Sequence, residues 1–127
     1  MLLSLIDTIA DNIKSSTGSD IDIGTLYDSS ELALVVRTGG IGNEDLALGE
    51  ELQPVIQILS QNKSQAKAIS TLEDISTSLH TLNGMSLDKY RITRIRTQNL
   101  PTYVEKTSRD EWIYSTQYEI QIQQTNY

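Results

Sequence analysis

The sequence contains no cysteine, so it can form neither a disulfide framework nor a thiolate metal site, and nothing argues for secretion. It has a single histidine, His80. With no second histidine and no cysteine, the usual zinc sites are excluded. Basic residues are few: ten Lys and Arg stand against 17 Asp and Glu, for a net charge of −7 and a pI near 4.5. Such a surface repels phosphate and excludes broad, sequence-independent binding of nucleic acid. Apolar residues make up 38%, below the roughly 45–50% of an average chain, a figure that also counts glycine. A chain so composed covers itself poorly alone, which favours help from neighbouring subunits. No stretch approaches the ~20 apolar residues of a membrane span. The apolar start, Met1 to Ile6, has no basic leader and is interrupted by Asp7 and Asp11, so it is not expected to be a signal peptide. Asn62-Lys63-Ser64 matches a glycosylation acceptor, which means little without a secretion signal. A length of 127 residues fits one domain, residues 1–127.

What is present is patterned. From Trp112 to Gln123 every second residue, Trp112, Tyr114, Thr116, Tyr118, Ile120 and Ile122, is mostly apolar or aromatic. The alternate set, Ile113, Ser115, Gln117, Glu119, Gln121 and Gln123, is mostly uncharged polar. Side chains of a strand alternate between faces, so this is one strand. At roughly 3.3 Å per residue it spans about 40 Å, far beyond the usual strand of about 5–6 residues.

Helical spacing predicts two amphipathic helices. Leu2, Leu5, Ile6, Ile9 and Ile13 mark the first, over 2–16, with Gly18 suited to the left-handed position that ends it. Ile69, Leu72, Ile75, Leu79 and Leu82 mark the second, over 64–82. Asn62 or Ser64 can cap its start, and Asn83-Gly84 stops it. Glu31 to Thr38 holds the unbroken run Leu32 to Val36, which suits a strand buried on both faces. Leu52 to Leu59 is a second strand, with Pro54 fitting an edge or first position. Between them lies a connecting loop, Gly39 to Glu51, of about a dozen residues. Tyr90 to Gln98 is a third strand. Its Ile92 and Ile95 are out of phase by one, which predicts a bulge or an exposed face. Asn99-Leu100-Pro101 breaks it, Thr102 to Glu105 resumes extended structure, and Lys106 to Glu111 is a polar hairpin loop into the closing strand.

The chemistry-bearing candidates are sparse. Asp20 and Asp22 are spaced like calcium ligands, but Gly24 stands where a third oxygen is needed and no bidentate Glu is in register. A turn or short edge strand is expected there. Gly40-Ile41-Gly42 follows a strand, but the third glycine of a dinucleotide loop is missing and acids stand in its place. His80 as a general base would need a nucleophile and an orienting acid. Only Ser76 lies four residues back on the helix. Arg91, Arg94 and Arg96 put three of the ten basic residues on one strand. Arg binds carboxylates bidentately, so this strip suits the chain's own acids or a neighbour's better than DNA.

The element order, with single helices between runs of strands, predicts an α+β fold: an antiparallel or mixed sheet with the two helices packed on one face. The closing strand's apolar face then lies under the helices. Its polar face, with Gln117, Glu119 and Gln121, is left for a neighbouring subunit or a lumen.

In this order of elements, from the apolar first helix to the closing Trp112-Ile113-Tyr114-Ser115-Thr116-Gln117-Tyr118-Glu119-Ile120 segment, the chain resembles the small minor capsid or tail terminator (tail completion) proteins of long-tailed bacteriophages. The resemblance spans nearly the whole chain and is most specific in the final segment. It implies a hexameric ring at the head-proximal end of the tail that stops polymerisation of the tail tube protein. The ring then presents a surface to the head connector or stopper. It implies no catalytic residue, metal, cofactor or membrane contact, with DNA only passing through an acidic lumen. Glu44, Asp45 and Glu50 would line that lumen or dock a partner. The location implied is the virion, with assembly in the host cytoplasm. A head–tail connector, adaptor or other minor tail protein has an overlapping composition. A stopper would be built around a small barrel, which two helices of this length disfavour. A small hydrolase using His80 is the remaining alternative.

Overall fold

A computed structural model of the chain describes residues 2–38, 41–45, 49–87 and 90–124. In chain order these form α1 (Leu2–Thr17), β1 (Ile21–Ile23), β2 (Leu32–Thr38), β3 (Ile41–Asp45), β4 (Gly49–Leu52) and β5 (Val55–Asn62). Then come α2 (Gln65–His80), β6 (Ser86–Leu87), β7 (Tyr90–Thr97), β8 (Thr102–Lys106) and β9 (Trp112–Gln124).

The 13-residue β9 is the spine of one nine-stranded sheet. Both of its edges are occupied. On one edge β5 pairs antiparallel with Trp112–Glu119 and β4 continues at Ile122–Gln123. On the other, β8 pairs with Trp112–Ser115 and β7 with Tyr118–Gln124. One end of the sheet therefore runs β1-β2-β5-β9-β8, and the other runs β3-β4-β9-β7-β6. Among the described residues only β1 with β2 is a parallel pair, so the sheet is mixed and the fold is α+β, as the element order predicts.

Each edge of β9 changes partner at a break that its sequence explains. Between β4 and β5 lies Pro54, which has no N–H to give a ladder. Its carbonyl instead accepts from Ile120 N, at 2.9 Å. Pro54 thus marks a junction on an inner strand path, not an outer edge. Between β7 and β8 lies Asn99, whose side chain replaces the missing ladder. Its Oδ1 accepts from Gln117 N at 2.8 Å, and its Nδ2 donates to Ser115 O at 3.2 Å.

The expected connecting loop over Gly39 to Glu51 is, where described, a β-hairpin. β3 and β4 pair antiparallel, with Glu44 opposite Glu50 and Asp45 opposite Gly49. Its glycines and acids carry no alternating apolar signal in the sequence. The strand expected at Leu52 to Leu59 begins instead at Val55 and runs on to Asn62.

Both helices lie on one face, and one core joins them to the sheet. Leu5, Ile9 and Ile13 of α1 meet Leu72, Ile75 and Leu79 of α2 above Leu34, Ile56, Ile58, Tyr118, Ile120 and Ile122. Ser64 caps α2 by accepting from Lys67 N. Gly18 ends α1 at φ 75°, its N–H donating to Lys14 O at 2.8 Å. At that angle a side chain is strained and glycine is not.

Candidate functional site

On the helix side of β9, Tyr118 is fully buried. Its hydroxyl lies 2.6 Å from Ser76 Oγ and accepts from Thr116 Oγ1 at 3.0 Å. Burial raises the Tyr118 pKa above its ordinary value of 10.0, against the two hydrogen bonds. The residues of the hydrolase constellation are bonded elsewhere. Ser76 is engaged by Tyr118, and exposed His80 lies 3.3 Å from Thr97 Oγ1. The two do not meet.

The opposite face of β9 carries Gln117, Glu119, Gln121 and Gln123, all half-buried. The register sets Arg96 across from Glu119, Arg94 across from Gln121 and Arg91 across from Gln123. Arg91 and Arg94 are three residues apart, which in a regular strand would put them on opposite faces. The register shift between Ile92 and Arg94 corrects this. The unmatched residue is Thr93, whose hydroxyl donates to Gln121 O at 3.1 Å. The bulge lets Ile92 and Ile95 both enter the core, and it aligns three exposed arginines on the open face. None of them makes an ion pair with another described residue. The sequence thus places six of its candidate residues, Arg91, Arg94, Arg96, Gln117, Glu119 and Gln121, on one patch. Glu44, Asp45 and Glu50 belong to the β3–β4 hairpin, on the far side of β9 from the arginines; their side chains lie outside the described part.

At the start of β9 the open face is covered, which the sequence did not reveal. Ile113 and Ser115 are buried there, as is Gln61. Gln61 Nε2 donates to Tyr27 O at 3.1 Å and Ser30 O at 2.9 Å, holding the β1–β2 connection against this face. Arg109, in the β8–β9 turn, pins the same segment through Asp28, Nη1 to Oδ1 at 3.1 Å. It also bonds Glu111 Oε1 at 2.9 Å. The hydrogen bond to Glu111, aided by the charge of Asp28, raises the Arg109 pKa. A polar turn gives no hint of such a latch, because Gln61, whose Oε1 accepts from Arg109 Nη2 at 3.5 Å, is 48 positions away in the chain and Asp28 is farther still.

The acids near β1 are likewise engaged. Asp20 pairs with Lys14 at 2.9 Å, Asp22 accepts from Ser30 Oγ, and Glu31 accepts from Ser19 Oγ at 3.0 Å. Among the described residues no three His, Asp or Glu side chains stand together as a metal site. No described helix is long and apolar enough to cross a membrane. The described surface offers a charged sheet face and open strand edges.

The chain belongs to the bacteriophage tail terminator protein family, whose model matches residues 11–124. It is accordingly a structural protein of the phage tail. No curated protein matches at a significant level. Among solved structures, the chain is similar to one from the virion of a native gene transfer agent particle. Identity is 12% and the TM-score 0.56, over 87% of this chain and 84% of that one. At that identity the likeness concerns the fold.

Proposed function

We propose that copies of this chain, each a single domain, form a ring at the head-proximal end of the phage tail. The ring caps the tail tube, stops its polymerisation and offers the surface that joins the head connector. Six copies are expected, as in the family the sequence resembles. The observation that carries this reading is the row of Arg91, Arg94 and Arg96, exposed beside Glu119 and without ion-pair partners among the described residues. A guanidinium row in an acidic chain attracts carboxylates, and another subunit supplies them. The net charge of −7 lets DNA pass the lumen without being held. The protein works without catalysis or cofactor; it acts in the virion after assembly in the host cytoplasm.

The test is assembly. Phage lacking this protein should make tails of uncontrolled length or tails that fail to join heads, seen by electron microscopy. Normal virions from the deletion would sink the assignment.

A further inference from the structure

On the helix side of the sheet a cavity of about 290 Å³ opens between the C-terminal end of α1 and α2, with Leu32 of β2 and Ser60 of β5 beneath it. That size is at the small end of ligand sites. Ser60 is 3% exposed, and its hydroxyl has no hydrogen-bond partner among the described residues. Every described buried side-chain N or O that is sealed from solvent is bonded, so this hydroxyl opens onto the cavity. A polar group held so deep without a partner points to a ligand.

The other hydroxyls around the cavity have committed their protons. Ser16 and Thr17 both donate to Ile13 O, at 3.2 and 2.8 Å, and Ser19 donates to Glu31 Oε2 at 3.0 Å. Ser70 and Thr71 both donate to Lys67 O, at 3.3 and 2.8 Å. Each therefore offers only lone pairs to an occupant. The charge points the same way. Glu31 and Asp74 line the cavity against a single cation, Lys67. None of the three makes an ion pair among the described residues. The end of α1 adds the negative pole of its dipole.

We propose that this cavity binds a primary ammonium group, carried by a free amine or by a lysine side chain of another protein. Such a group has three donors, no acceptor and a positive charge, which matches a wall of lone pairs and two carboxylates. The Ser60 hydroxyl accepts from it. A metal ion fits less well, because no three acids stand together among the described residues. The cavity lies on the face of the sheet away from the arginine row, so this reading stands independently of the ring.

The test is a titration of the isotope-labelled chain, followed by NMR at low salt, where exposed charges are least screened. The probe 1,4-diaminobutane should shift the amide signals of Ser19, Glu31, Leu32 and Ser60 saturably, and the uncharged 1,4-butanediol should not. Glu31→Gln with Asp74→Asn should weaken binding about tenfold or more. Asp7→Asn with Asp11→Asn removes the same charge elsewhere on α1 and should leave it unchanged. All four acids are exposed, so the fold should survive each change. Ser60→Ala should weaken binding about threefold. Lys67→Gln should tighten it, because the competing cation is gone. A second probe, N-acetyl-lysine amide, separates the two sources. Binding as tight as the diamine's assigns the cavity to a protein lysine, and binding of the diamine alone assigns it to a free amine. The proposal is overturned if the diamine shifts the signals no more than the diol does. It is also overturned if the Glu31, Asp74 variant binds like the wild type, or if Lys67→Gln weakens binding.

Discussion

The two faces of β9 are built from the same thirteen residues and do opposite work. On the helix side Tyr114, Thr116, Tyr118, Ile120 and Ile122 are buried, and the polar atoms among them are paired internally. On the other side Gln117, Glu119 and Gln121 sit half-buried beside three arginines that lack described ion-pair partners. The first face satisfies itself; on the second, three exposed arginines stand without an acidic partner among the described residues. Stability should therefore reside on one side of this strand and assembly on the other, although neighbouring residues point to each.

The largest effect should come from the satisfied face. Tyr118→Ala should cost about 3–5 kcal/mol in denaturant unfolding, from the cavity and the orphaned hydroxyls of Ser76 and Thr116. A loss below about 1 kcal/mol would show that this face is not core. Next comes Asn99→Ala, at about 1–3 kcal/mol, since Gln117 N would lose its acceptor at the β7–β8 junction. Tyr118→Phe should cost about 1–2 kcal/mol and change the pH profile. Burial raises the folded Tyr118 pKa, so its contribution is complete below the unfolded value near 10 and is lost as pH rises through the folded value. The phenylalanine variant should show a shallower alkaline loss of stability than the wild type; equal profiles would refute this. The smallest effect on stability should come from the open face. Gln121→Ala should change the unfolding free energy by no more than about 0.5 kcal/mol, and a larger loss would blur the distinction between the faces.

Where one residue pattern had one structural solution, the sequence was legible. The stripes of α1 and α2, the alternation of β9 and the bulge forced by Ile92 and Ile95 all reflect a single buried face imposing its period. The arginine row was visible as a cluster, and the bulge explains why it is a row. The β3–β4 hairpin was hidden because its residues, Gly, Asn, Glu and Asp among them, have little strand preference. The Gln61–Arg109 latch and the Asn99 bridge were hidden for another reason. Both join polar side chains to backbone or partners far along the chain, and polar residues in turns look alike whatever they later bind. Of the candidate site, the open-face patch was readable from periodicity; its cover at Ile113 and Ser115 was not.

The most direct measurement is the solution mass of the Arg94→Glu, Arg96→Glu chain by light scattering, taken with its melting temperature on the same sample. The division between the faces predicts that the oligomer is lost while melting of the isolated subunit stays within about 2–3 °C of the wild-type subunit. An oligomer of unchanged mass, or a collapse in melting temperature, would contradict it.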